Sequence, residues 1–459
     1  MRILILGGGA VGALLAQRLI REKNEVVIVE KKSDRCIELE ETLDAKIIQG
    51  SASSIKTLQK AGVSNVEMLI AVTNSDETNI LACLIAESQS SIGIKLVRLR
   101  THEIDEWKSI FSSQQLNVDL AIHPDRETAD RILRVLHLPG VSERFEFADG
   151  KVQLIGMNIE SNSWVVGKTM EKLDKSSPPK NSLMVILFRG QRSIVPQRDV
   201  RLRAGDHVYV VIPTEEMSEL FDFMRLPPVQ AVKRVFIIGG KQIGIEIALQ
   251  LETQGVHVKL FDRDLNRCEK IAGLVNNTVV VHADGTDRRT LVEENIDGID
   301  AYLALTGDDE DNIIASLLSK RLGARKAVAL VNRLDFLPMA QLLGINSSIS
   351  TRLAVVDRIM KFVRKGQVLS VTTFHEEEEV EAIELVATPG SKFLGKKLKD
   401  AHLPRGAIVG AIVRPSGEVI VPRGDAIIRE KDRVLFFCLE QLVPELESAF
   451  FAGTQRAKM

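Results

Sequence analysis

The sequence holds few cysteines and sets them in no pattern. Cys36, Cys83, Cys268 and Cys438 are scattered over 459 residues, with no CxxC pair and no histidine at metal-ligand spacing. That excludes a zinc ribbon and a disulfide framework, and it fits a reducing cytoplasm. Excess charge is missing too. The 60 basic and 62 acidic residues nearly cancel, so there is no global basic field to collect nucleic acid or anionic lipid, and no nucleic-acid partner is expected. No uninterrupted apolar run approaches the roughly 18 residues that suit a bilayer-spanning helix, so any membrane role is expected to run through a partner. The opening MRILILGGG has a charge and a short apolar stretch but no h-region followed by a small-residue cleavage site, and it reads as a strand. A P-loop is lacking as well: Gly167, Lys168 and Thr169 spell GKT, but Asn162 stands where that loop needs a glycine.

What is present is the balance of a soluble globular chain, 45% apolar and 27% charged. At roughly 100 to 200 residues per domain it should form two to four domains. The chain also repeats itself. RILILGGGAVG at Arg2–Gly12 returns as RVFIIGGKQIG at Arg234–Gly244, an offset of 232 residues. In the same order, IVEKKSDRC answers LFDRDLNRC, and AVTNSDETNI answers ALTGDDEDNI. A second pair follows each of these segments: VVGKTM near Gly167 answers FLGKKL near Gly395, and SIVPQRD answers VIVPRGD. The expected domains are therefore 1–125, 140–226, 232–351 and 370–455, with a linker at Pro227 and Pro228. The two halves are expected to be separable.

Within each larger domain, apolar strand-like runs alternate with helical stretches, which implies a parallel, doubly wound sheet of Rossmann type. The fold class is accordingly α/β: two such lobes, each followed by a small α+β lobe containing runs such as VILF, HVYVVI and RVLFF. Val11, Leu14, Leu15 and Leu19 place an apolar stripe on the first helix, facing the sheet. Arg126–Leu136 and Arg352–Val363 are amphipathic and read as connecting or docking helices. The run His375–Glu381, HEEEEVE, reads as a solvated segment.

Gly7, Gly9 and Gly12 form GxGxxG between a strand and a helix, with Gly8, Ala10 and Val11 filling the loop. Missing Cβ atoms allow the tight turn and a close approach to a pyrophosphate, which meets the free N–H groups of the helix N-terminus. Glu30 follows 18 residues after Gly12 at the end of the second strand, where a carboxylate accepts ribose hydroxyls and repels a 2′-phosphate. NAD(H) or an adenine nucleotide is therefore favoured over NADP. Thr73 and Asn74, with Asp76 in the same loop, stand after the fourth strand on the ligand side of such folds. Arg98 on the fifth strand is open between a phosphate contact and a surface or inter-lobe ion pair. In the second lobe Gly239, Gly240, Lys241, Gln242, Ile243 and Gly244 occupy the loop, with Asp262 and Thr306 at the strand ends. Lys241 replaces the middle glycine and Leu330 replaces Arg98, so the two sites are expected to differ in affinity or ligand. His102 and His123 lie near strand ends without repeat counterparts and read as structural residues.

The order of these motifs resembles the TrkA family of potassium-uptake regulators, built from two consecutive RCK (or KTN) modules, over essentially the whole chain. The motifs that carry the resemblance are Gly7–Gly12 with Glu30, AVTNSDETN, LVRLRTHE around Arg98, and IVP at Ile194–Pro196 and Ile420–Pro422. The resemblance implies RCK N-type and C-type lobes and no catalytic residues. It also implies a homo-oligomeric ring, a tetramer, on the cytoplasmic face of the membrane beneath a potassium-translocating subunit of TrkH type. NAD(H), ATP or ADP would be the gating ligands. By position, their contacts would be Gly7–Val11, Glu30, Thr73, Asn74 and Arg98 in the first lobe, and Gly239–Ile243, Asp262 and Thr306 in the second. An NAD-dependent oxidoreductase, or an RCK regulator of another ion transporter, is the competing reading. The former needs a substrate domain and a proton donor that the sequence does not display.

Overall fold

The computed structural model describes the chain except residues 91, 102–115, 137, 139, 191, 195, 227–230, 346, 364–367, 375–379, 405 and 452–459. His102, the linker prolines and the first five residues of the acidic run lie outside the described residues. The chain divides into two compact units, residues 1–128 with 351–363, and residues 129–350 with those after 363.

The first unit is built on six strands: β1 Arg2–Leu6, β2 Glu25–Glu30, β3 Lys46–Gln49, β4 Met68–Ala71, β5 Ile94–Arg98 and β6 Leu120–Ile122. They pair in parallel in the order β3-β2-β1-β4-β5-β6. Strand order reverses between β1 and β4, opening a crevice at their carboxyl ends. Ile3, Ile5, Leu4 and Leu6 are fully buried because both faces of the sheet are covered. On one face lies the helix Ala10–Arg21, whose Leu15 and Leu19 are fully buried. The helix Thr351–Val363 contributes Val355, Val356, Ile359 and Met360 to the same core. Arg18 Nη1 reaches Asp357 Oδ1 at 3.0 Å.

In the second unit β7 Val141–Phe147, β8 Val152–Asn158, β9 Leu183–Arg189, β10 Arg192–Ile194 and β11 His207–Pro213 form an antiparallel sheet in the order β10-β9-β11-β8-β7. The second parallel sheet comprises β12 Arg234–Ile238, β13 His257–Asp262, β14 Val279–His282, β15 Ala301–Ala304, β16 Lys326–Leu330 and β17 Ser347–Ile349. Its order, β14-β13-β12-β15-β16-β17, repeats that of the first. A last antiparallel sheet contains β18 Val368–Phe374, β19 Val380–Val386, β20 Ala407–Val413, β21 Val419–Ile420 and β22 Arg433–Leu439.

The helix Pro124–Leu136 spans the division between the units, and its residues Ala129, Ile132, Val135 and Leu136 are buried among Ile243, Ile247 and Leu251 of the second parallel lobe. Past its last turn, Lys326 Nζ donates to the carbonyls of Val135, Leu138 and Val141. The two small lobes also share a core, in which Phe147, Tyr209 and Val211 pack with Val380, Ala382 and Phe437. The expectation of separable halves is thus wrong. Each half lends a helix that covers apolar surface formed by the other, and cutting at the linker would expose both faces to water. The acidic run needs correction too, because Val380 and Glu381 begin β19 and Glu381 is buried.

Candidate functional site

At the end of β1 the chain turns at Gly7 with φ +106°, and a Cβ there would stand 3.0 Å from the backbone of Thr73. Gly12 is needed for closeness: its Cβ would fall 1.9 Å from the Gly7 carbonyl. Gly9 meets nothing within 4 Å, so its lack of a side chain serves the space in front of the loop and not the packing behind it. The helix then opens at Ala10 with no side-chain cap and no acidic residue in its first turn, which leaves the positive end of its dipole uncompensated. Glu30 closes one wall. Its Oε2 accepts from Gly8 N at 2.8 Å and its Oε1 from Lys32 N at 2.9 Å.

The opposite wall is organised by Asn79, which is fully buried and which the sequence analysis did not single out. Its Oδ1 accepts from Thr73 N at 3.0 Å and Thr73 Oγ1 at 2.6 Å, while its Nδ2 donates to the Arg98 carbonyl at 2.8 Å. Asn312 does the same with Thr306 and Leu330. The recurrence of Asn in the repeated TNSDETN and TGDDEDN segments was the available signal. Asp76, a candidate by loop position, instead anchors the chain after β5 by accepting from Arg100 N at 2.8 Å and Thr101 N at 2.9 Å.

Arg98 is not a surface residue. It is 6% exposed, and its hydrogen-bond partner among the described residues is Asn74, reached by Nη2 at 3.1 Å. Burial, then the neighbouring Arg100, lower its pKa, while Asp76 and Asp125 act the other way. A guanidinium carries five N–H donors, and among the described residues one neutral acceptor takes up only part of that capacity beside the glycine loop.

The second lobe copies the backbone but not the chemistry. Gly239 has φ +107°, and a Cβ on Gly244 would lie 2.3 Å from the Gly239 carbonyl. Lys241 takes the open middle position without a clash, and its Nζ lies over Gly307. Asp262 accepts from Gly240 N at 2.8 Å, and Arg267 Nη1 stands 2.8 Å from both its oxygens. Burial opposes ionisation of Asp262, but hydrogen bonds from Asp264 N–H, Arg267 and Gly240 N–H hold its carboxyl below the usual range. Lys241, Asp262, Arg263, Arg267, Thr306 and Asp311 line a cleft of about 270 Å³. Gln242 and Ile243 begin the helix behind it.

Other motifs resolve as structural. His123 Nδ1 accepts from Arg126 N at 3.2 Å, and its Nε2 lies 3.2 Å from the Arg100 carbonyl. Thr169 of the GKT tripeptide caps the short helix Met170–Asp174. Among the described residues no helix is long and apolar enough to cross a membrane.

The duplicated order of a glycine-loop lobe and a small sheet lobe has a family match at both repeats. The TrkA-N domain matches residues 3–124 and 235–351, and the TrkA-C domain matches 154–225 and 382–450. The chain belongs to the TrkA family of Trk potassium-uptake proteins. It is 33% identical to the Trk system potassium uptake protein TrkA of Halomonas elongata over 456 residues, 99% of each chain. With the protein of that name from Vibrio alginolyticus it shares 34% identity over 98% of each chain. Among solved structures, the GsuK RCK domain superposes with a TM-score of 0.59 at 19% identity, covering 98% of this chain and 95% of that one. The GsuK channel bound to NAD gives 0.57 at 18% identity over 98% of this chain and 79% of that one. These likenesses establish tandem TrkA-N and TrkA-C units with the RCK fold, assigned here to a member of a potassium-uptake system.

Proposed function

We propose that this TrkA-family chain is the nucleotide-sensing regulatory subunit of its potassium-uptake system, with the first lobe as sensor and no catalytic role. The observation that carries the reading is Arg98, a buried cation whose side-chain hydrogen-bond partner among the described residues is the neutral Asn74, beside a glycine loop whose middle residue faces open space. A buried charge of this kind is stabilised by an anion, and a phosphate lying across the loop would supply one. The residues fit a nucleotide: Gly7, Gly8, Gly9, Ala10, Val11 and Gly12 for the pyrophosphate, Glu30 for the ribose, and Thr73, Asn74 and Arg98 along the opposite wall. NAD(H), ATP and ADP all have this chemistry, and the GsuK structures carrying NAD and ADP support the choice.

The partner is a potassium-translocating membrane subunit of TrkH type, and the assembly a homotetrameric ring at the cytoplasmic face of the membrane. A ligand shifts such a ring only if it binds one conformation better than another, with typical couplings of about 1 to 3 kcal/mol. The helices Pro124–Leu136 and Thr351–Val363 are the elements through which the lobes would transmit the change. The test is calorimetric titration of the full-length chain with NADH, NAD, ATP and ADP, beside a Glu30→Ala/Arg98→Leu variant. Loss of one set of saturable sites in the variant, with any second-lobe binding retained, supports the reading. Absence of binding by the unmodified chain refutes it.

A further inference from the structure

The two lobes place homologous arginines differently. Arg35 and Arg267 each precede the paired cysteines Cys36 and Cys268. Arg35 donates Nε to the Gly8 carbonyl at 2.8 Å and pairs through Nη1 with Glu38 at 2.5 Å, leaving Glu30 with its two backbone N–H donors. Arg267 turns the other way and covers both oxygens of Asp262, which already accept from Gly240 and Asp264. Local charge accounts for the choice. Around Arg35, Lys32 stands three residues before and Glu38 three after, pushing the guanidinium from the strand end and drawing it outward. Around Arg267 the signs are reversed, with Asp264 before and Lys270 after. Asp264 Oδ2 lies 3.4 Å from Arg267 Nη2.

We propose that Arg267 sets the ligand specificity of the second lobe by occupying the Asp262 oxygens that a ribose diol would use. This inference rests on the nucleotide-binding reading above. Ribose hydroxyls are recognised by donating to the free lone pairs of the strand-end carboxylate. At Glu30 those lone pairs remain after the backbone donors are counted. At Asp262 a diol, a neutral donor, competes with a guanidinium, whose donor and acceptor are both charged. Arg263, the other guanidinium in the cleft, is held by Asp284 and Thr286. Lys241 stays exposed, with Nζ over Gly307. The second lobe therefore keeps a cation for a phosphate group while losing recognition of the sugar, and it takes phosphate-bearing ligands with little regard to their 2′,3′-diol.

The experiment uses the full-length chain with the first lobe silenced by Glu30→Ala/Arg98→Leu, titrated with ADP and with 2′,3′-dideoxy-ADP. Adding Arg267→Ala is expected to tighten ADP about tenfold, roughly the worth of one hydrogen bond to a charged group, and to leave dideoxy-ADP unmoved. No gain, or an equal gain for both ligands, overturns the proposal. The Arg267 side chain is 38% exposed, so its removal opens no core. Arg267→Gln, which keeps a shorter donor, should fall between the two. In the otherwise unmodified chain, Glu38→Lys should release Arg35 toward Glu30 and weaken ADP at the first lobe several-fold, and unchanged ADP affinity there counts against the charge argument. Failure of the underlying reading has a separate signature, since Glu30→Ala/Arg98→Leu would then leave ADP binding of the unmodified chain as it was.

Discussion

Arg98→Leu separates a ligand-binding role from a structural one because the two readings give effects of opposite sign. The side chain is 6% exposed and, among the described residues, has one hydrogen bond, to Asn74 at 3.1 Å. Leucine occupies the equivalent position in the second lobe at Leu330, itself 4% exposed and with the same Asn312-to-carbonyl link behind it. The fold thus already accommodates the replacement once. Without ligand, exchanging an under-partnered buried cation for an apolar side chain should be neutral or stabilising by about 1 kcal/mol. For a unit of this size that is a rise of about 2 to 4 °C in unfolding midpoint at most. With ligand, the variant loses a hydrogen bond between two charged groups, worth about 1.5 to 3 kcal/mol, so nucleotide affinity should fall roughly 10- to 150-fold. Differential scanning fluorimetry with and without ADP, together with calorimetry, reads both numbers on one preparation. A midpoint lowered by several degrees with affinity intact would show that Arg98 holds the lobe together and that the anion argument is wrong.

The two glycine positions should respond differently to the same methyl group. Gly12→Ala drives a Cβ to 1.9 Å from the Gly7 carbonyl and should cost about 3 kcal/mol of stability, seen as a drop of roughly 6 to 12 °C. Gly9→Ala should leave the unliganded midpoint unchanged and weaken nucleotide binding, so a destabilised Gly9→Ala protein would contradict the open loop. Lys326 gives a pH test, since burial, with Lys320 nearby, brings its amine down to about 7 from an ordinary 10.5. Across that window the unfolded chain binds a proton that the folded chain does not, so this group makes stability rise with pH, by up to about 1.4 kcal/mol per unit, with the full penalty remaining below pH 7. Unfolding midpoints of the parent chain and Lys326→Met from pH 6 to 10 should diverge in slope, and parallel curves would refute the assignment.

Much of this architecture is written in local pattern. The glycine loops are legible because φ near +106° at Gly7 and a 1.9 Å approach at Gly12 admit little else. The alternation of apolar strands with amphipathic helices implies a doubly wound sheet, since a parallel strand needs a covering crossover. The repeat exposed the tandem order because matching residues recur in register. Tertiary structure alone decided which surfaces meet. Periodicity marks the apolar face of Thr351–Val363, but hydrophobic burial is non-directional, and nothing in the pattern says that this face covers the helix Ala10–Arg21 of the other repeat. The same holds for the shared core of the small lobes, which made the expectation of separable halves fail. Side-chain partners were hidden for a related reason. Arg98 and Arg267 are both arginines near strand ends in sequence, yet one is buried with its side chain bonded to the Asn74 amide and the other lies on Asp262, because a guanidinium on a long flexible stem takes the partner that the fold brings within reach.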